Sequence, residues 1–265
     1  MGLNIHYSLK LDFGGAELAR EKLTALRKFA LDLAFADVGE LVEFQAEDDT
    51  LDLDSPKAEP LSDRKTRRSK RDRYDSQREI KANANRGIFY ERYHFTVPAQ
   101  QGIYFQAWPG EGCETALFGL ATYPKTIIRK IDNQLEPIET NLSGWCWFNL
   151  CKTQYASNPN YGGIEHFLKC HLLLIAMLDE AQRLDILQNV SDDGSYWENR
   201  DIEELIKALE KHNALVAAIV GQIGDVLNKV GKGEAQAPIT SYPNFEYLEA
   251  EGQMRLKGNR PNKAE

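Results

Sequence analysis

The stretch Gly144-Trp-Cys-Trp-Phe-Asn-Leu-Cys-Lys-Thr-Gln-Tyr-Ala-Ser157 decides how this chain folds. Successive side chains of a strand point to opposite faces, so residues 145–155 separate into two rows. One row is Trp145, Trp147, Asn149, Cys151, Thr153 and Tyr155; the other is Cys146, Phe148, Leu150, Lys152 and Gln154. Both rows begin apolar, which predicts a central strand covered on both faces. Both turn polar at the C-terminal end, beside the turn 157–163 and a strongly apolar helix over 162–184. A polar strand end beside a glycine turn and a helix N-terminus is a place for a ligand.

Outward from this centre, Leu3, Ile5, Tyr7, Leu9 and Leu11 alternate with polar residues, as in a strand with one buried face. Residues 16–35 carry Leu18, Leu23, Leu26, Phe29, Ala30 and Leu33 on one helical stripe, and 41–44 return as a short strand. The opening reads as β-α-β with a parallel strand pair. Residues 88–97 and 102–108 read as two strands joined by the turn at Pro98, 117–123 as a third, and 125–143 as irregular apart from a short strand at 126–131. Ile186–Val190 reads as an edge strand. Asp201 and Glu204 have capping-box spacing before a long helix over 202–230.

The fold class is therefore α+β: a mixed sheet of about six to eight strands with an N-terminal β-α-β unit, a central two-sided strand and two long C-terminal helices. One domain spans 1–231, and 232–265 form a mostly irregular tail. Residues 47–86 join an acidic run to the basic run 64–73 with almost nothing apolar to bury, and read as a charged, disordered insertion.

With 42% hydrophobic and 27% charged residues, the chain has enough apolar mass for one sizeable core. A net charge of −8 speaks against sequence-specific nucleic-acid binding, and the basic run reads as a solvated loop. No apolar run has the length of a membrane span, and the N-terminus lacks the pattern of a signal peptide. Gly2 raises myristoylation, but the strand that follows favours its burial. Four cysteines without framework spacing suit a reduced, cytoplasmic chain.

Three stretches, Trp108-Pro-Gly-Glu-Gly-Cys-Glu114, Cys151-Lys-Thr-Gln-Tyr-Ala-Ser157 and Gly194-Ser-Tyr-Trp-Glu198, together with the N-terminal Gly-Leu-Asn-Ile-His-Tyr, resemble a bacterial family of uncharacterised proteins. The resemblance covers most of 1–230. It implies a bacterial, cytoplasmic protein and carries over no catalytic residue. The basic insertion departs from the family pattern.

Several constellations compete. Cys146, Cys151, His166 and Cys170 would make a zinc set, but Cys146 and Cys151 have opposite parity on the strand, so no metal site and no cofactor is expected. Cys113 or Cys151 could act as a thiol nucleophile with His171 as base, oriented by Glu114 or Asp179; buried thiols and a core-edge His are the structural alternative. Glu111, Glu114, Asp192, Asp193 and Glu198 form a scattered carboxylate set that turn chemistry also explains. Trp145, Trp147, Tyr196 and Trp197 would stack a ligand or fill the core.

An anion site has the best argument. Lys152 sits where its row turns polar, the glycines Gly162 and Gly163 offer backbone N–H groups at a helix start, and Gln154 and Asn158 add polar contacts. The alternative is an ion pair of Lys152 with Glu114, Glu111 or Asp193. The expectation is a cytoplasmic binding protein for a small anionic ligand or a protein partner. Its site would lie at loops 108–114, 152–163 and 192–198, with Lys152, Gln154, Asn158, Gly162, Gly163, Glu111, Glu114, Tyr196 and Trp197. The runner-up is a cysteine-dependent hydrolase or transferase using Cys113, Cys151 and His171 at the same loops.

Overall fold

The computed structural model describes residues 3–46, 84–90, 93–132, 134–229, 235 and 237–258. The charged insertion lies almost wholly outside them. The elements run β1 (Asn4–Leu11), α1 (Ala16–Asp32), β2 (Asp37–Val38), β3 (Val42–Gln45), β4 (Arg86–Tyr90), β5 (Tyr93–Val97), β6 (Gln101–Trp108) and β7 (Ala116–Thr122). Then follow β8 (Thr126–Ile131), β9 (Gln134–Glu139), β10 (Trp145–Lys152), α2 (Gly163–Arg183), β11 (Leu187–Asp192), α3 (Tyr196–Asn199), α4 (Ile202–Lys229) and α5 (Phe245–Gly258). The class is α+β, with the N-terminal β-α unit and the long C-terminal helices in place.

The main sheet has seven strands in the order β11-β1-β10-β7-β6-β2, with β3 also paired to β6. Every described ladder is antiparallel. The parallel pair expected of the β-α-β opening does not form. Following the antiparallel steps across the sheet, β1 and β3 do run in one direction, but β10, β7 and β6 lie between them. A helical crossover fixes relative direction, not adjacency. Arg20 of α1 holds the far end by a two-pronged contact with Glu43 of β3, at 2.6 and 2.7 Å.

Strand β10 is internal, as read, but it is covered on one face only. Trp145, Trp147 and Cys151 are buried; Phe148 is 41% exposed and Leu150 38%. The covered face packs with Ile5, Tyr7 and Leu9 under α1, which buries Leu23 and Leu26, and under α2, which buries Leu174 and Leu178. Two small hairpins form separate sheets: β4 with β5, where a single strand over 88–97 was expected, and β8, the short strand expected at 126–131, with β9 in the stretch expected to be irregular. Ile127, Ile131 and Ile138 of the second are buried in the main core, so a stretch with few apolar residues still docks.

Strands β10 and β7 are joined by one backbone pairing only, Cys146 with Ala121. Further along, side chains take over the ladder. Asn149 Oδ1 accepts the Leu117 N–H at 3.2 Å, and the Leu117 carbonyl accepts from the Tyr7 hydroxyl and the Trp147 indole N–H, both at 2.9 Å. No backbone polar group at Leu117 is left unmet where the strands part.

The region past residue 231, expected to be a mostly irregular tail, carries α5, which packs against α4. Its apolar content is low because the two helices meet through small residues, Ala214, Ala218 and Gly252. A methyl group on Gly252 would overlap the Ala214 carbonyl. Gly252→Leu is expected to lower stability by about 1–3 kcal/mol through overpacking, offset in part by better helix propensity. Limited proteolysis should then cut within 245–258, and an uncut, equally stable variant would show that this crossing does not hold α5.

Candidate functional site

The polar end of β10 is tied into the fold by its own side chains. Gln154 Oε1 accepts the Leu3 N–H at 3.0 Å, and its amide donates to Asn213 Oδ1 at 2.9 Å. Asn213 in turn donates to Ser157 Oγ at 3.1 Å, which contacts the Tyr242 hydroxyl at 2.9 Å. Asn158 Oδ1 caps the turn by accepting from the Asn160 N–H, and its amide donates to Ser241. Gln154 and Asn158, expected as ligand contacts, are buried and serve as ties to β1, α4 and the chain before α5.

The glycine donors are also in use. The Gly162 N–H donates to the Pro159 carbonyl and the Gly163 N–H to that of Asn158, which corrects the expectation of free groups there. Both glycines have positive φ, 109° and 65°, so their role is to turn the chain into α2. Lys152 is half-buried, with its ammonium 4.8 Å from the Tyr155 ring centroid. Glu114 meets Lys152 through the backbone: the Glu114 N–H donates to the Lys152 carbonyl at 2.9 Å, and Glu114 Oε2 accepts the Lys152 N–H at 3.3 Å. Tyr196 and Trp197 begin α3. The Arg200 guanidinium covers the Trp197 ring at 4.6 Å and is held by Asp179 at 2.7 and 2.9 Å, so Asp179 does not orient His171.

His171 is occupied on both ring nitrogens. Nε2 lies 3.2 Å from Asp192 Oδ2, and Nδ1 lies 3.1 Å from the Thr153 hydroxyl. A carboxylate only accepts, so Nε2 carries the hydrogen and Nδ1 is left to accept from Thr153. Asp192 also accepts the N–H groups of Gly194, Tyr196 and Trp197, at 2.8, 2.9 and 3.1 Å. Burial pushes the Asp192 carboxyl up, but His171 and these N–H groups outweigh it and hold it below its usual range. This is a hydroxyl-imidazole-carboxylate row, yet all three residues are buried and each side chain belongs to a different part of the fold: the residue after β10, α2 and β11. It locks the fold and offers no reacting atom to a substrate.

A second cluster lies where the loop 109–114 meets α2. Cys113 is buried with Cys170, Phe167, Ala156 and Leu3. The Cys170 thiol beside it first, then burial, raises the Cys113 pKa. Cys113 in turn lowers the Cys170 pKa against the opposing effect of burial, and Lys169 adds to the lowering. His166 Nε2 lies 3.0 Å from the Glu111 carbonyl and 3.6 Å from Cys170 Sγ. A carbonyl only accepts, so Nε2 carries a hydrogen, which it shares toward the sulfur. The Cys170 sulfur thus has the His166 ring edge on one side and Cys113 on the other. Gly110 allows this approach, since a Cβ there would come within 2.9 Å of the His166 ring.

Compared with protein-family models, with curated proteins and with solved structures, the chain matches none. The functional reading therefore stands on this geometry.

Of the remaining thiols, Cys151 donates to the Glu114 carbonyl at 3.1 Å, and burial raises its pKa. Cys146 lies on the opposite face, as the strand parity predicts. Among the described residues no group of three or more His, Cys, Asp or Glu side chains is placed to hold a metal ion. The loops 108–114 and 152–163 do meet, through Glu114 and Lys152. Loop 192–198 meets them as well: Tyr196 packs on the cluster of Cys113 and Ala156, and Asp192 joins through the His171 row. The sequence reading considered His166 and Cys170 only as metal ligands. Their spacing of four on one helix was the available signal; the arrival of Cys113 from a loop had none. No described helix is long and apolar enough to cross a membrane.

Proposed function

We propose that this protein is a thiol–disulfide oxidoreductase whose redox couple is Cys113 and Cys170. The observation that carries the reading is the burial of Cys113 and Cys170 in one cluster, with His166 Nε2 3.6 Å from the Cys170 sulfur. It keeps the cysteine dependence of the runner-up expectation and replaces His171, whose nitrogens are engaged, by His166. The Cys170 thiolate attacks one sulfur of a disulfide substrate, forming a mixed disulfide and releasing one thiolate. Cys113 then loses its proton and attacks the Cys170 sulfur. The Cys113–Cys170 bond forms, and the second substrate thiolate leaves and takes up the proton. The substrate is reduced to two thiols as the protein dithiol is oxidised. Both thiols are buried, so a disulfide reaches Cys170 only when the half-buried His166 ring and the turn at Gly110 move aside, which restricts the substrate to a small, slender one.

Incubation with cystamine followed by peptide mapping tests this. The expected product is a Cys113–Cys170 link with Cys146 and Cys151 left free, and Cys113→Ser should stop at a mixed disulfide on Cys170. Four unchanged thiols, or a link between any other pair, would overturn the proposal.

A further inference from the structure

The face of the main sheet turned away from α1 and α2 carries a second set of groups that the thiol chemistry does not use. The register places them side by side: Lys10 opposite Cys146, Ser8 opposite Phe148, His6 opposite Leu150. Their neighbours in each strand, Ile5, Tyr7, Leu9, Trp147 and Cys151, are buried on the other side. Phe148 and Leu150 are apolar, adjacent in one row and more than a third exposed. Over this row lies Arg86 from the first residue of β4, with its guanidinium carbon 4.8 Å from the Phe148 ring centroid.

Arg86 is the telling residue. Its Nε is buried and has no hydrogen-bond partner. Among the described residues no carboxylate pairs with it. Nearby, Lys10 pairs with Asp12 at 2.6 Å, which answers the Lys10 charge. A half-buried guanidinium with an unmet N–H carries a desolvation cost that an incoming oxyanion would relieve. Lys10 and Arg86 both act on the Cys146 thiol, where their charges oppose the rise caused by burial, so the two cations share one neighbourhood. The aromatic ring beneath Arg86 leaves the guanidinium edge, with its donors, for a ligand.

We propose that this face binds a small organic oxyanion, with its charged head on Arg86 beside Lys10 and its apolar body over Phe148 and Leu150. Phosphate esters and carboxylates share the required chemistry: two acceptor oxygens for a guanidinium and an uncharged remainder for the apolar row.

Calorimetric titration of the full chain with phenyl phosphate, benzoate, inorganic phosphate and phenol tests the proposal. The two aromatic anions should bind more tightly than inorganic phosphate, and phenol should not bind measurably. Whichever of phenyl phosphate and benzoate binds more tightly identifies the head group. Arg86→Gln should weaken that ligand about tenfold or more, and Lys10→Met by less. A wild-type measurement stands beside the variants: the preferred anion should slow alkylation of Cys146, relative to chloride at equal ionic strength. Arg86→Gln binding as well as wild type, or an unchanged Cys146 alkylation rate, would overturn the site.

Discussion

Asp192→Asn is expected to destabilise this protein by about 2–4 kcal/mol, since each buried donor left without its acceptor costs about 1–3 kcal/mol. The carboxylate receives four donors, from His171 and from the N–H groups of Gly194, Tyr196 and Trp197. An amide of the same shape keeps one acceptor oxygen and turns an NH2 group toward donors that it repels. Denaturant unfolding at neutral pH measures the loss. Because the folded carboxyl titrates below its ordinary value, the native state binds fewer protons than the unfolded chain in the window between the two. Its stabilisation is fully present above the unfolded pKa of about 3.9 and disappears as pH falls through the folded value. The acid limb of the stability curve should therefore be shallower in the variant. A loss below about 1 kcal/mol would mean that the row is not the lock described above.

Trp147→Ala should cost about 3–5 kcal/mol, since a fully buried indole leaves a cavity that the sheet is poorly able to close. Trp147 stacks on Tyr104 with ring centroids 6.0 Å apart and planes 9° apart, and it sits where β7 and β10 separate. Trp147→Phe keeps a six-membered ring but loses the five-membered one, together with its N–H to the Leu117 carbonyl, which still accepts from Tyr7. About 1–3 kcal/mol is expected for that change, from a smaller cavity and one lost hydrogen bond. Urea unfolding of both variants ranks them. Equal losses would mean that the remaining six-membered ring contributes nothing to the packing.

Periodicity exposed the local elements well. The alternation at Ile5, Tyr7 and Leu9, the stripe at Leu23, Leu26 and Ala30, and the Asp201 cap are all realised; Asp201 Oδ1 accepts the Glu203 and Glu204 N–H groups at 2.8 and 3.2 Å. What periodicity does not hold is partnership. A strand shows which of its faces is apolar, not which strand lies beside it, so the antiparallel neighbours of β1 were hidden. Phe148 and Leu150 misled because apolar type sets a preference for burial without securing it. Helix α5 was missed for the converse reason, since Gly252 and Ala214 pack by closeness and not by hydrophobic bulk. In the site, the spacing of His166 and Cys170 was legible. Cys113 comes from 57 residues earlier in the chain and reached them only through the fold. Asp192 was read as a turn residue. It is one, and its second oxygen also accepts from His171.

Strand β1 is paired on both sides, with β10 and with β11, and those partners lie in the second half of the chain. During synthesis at about 5–20 residues per second, β1 therefore waits on the order of ten seconds or more for its last neighbour. Through that interval Ile5, Tyr7 and Leu9 form an apolar ribbon with two open edges, the template that strays into pairing with other chains. The same topology that seats β1 between two later strands leaves both of its edges open through that interval.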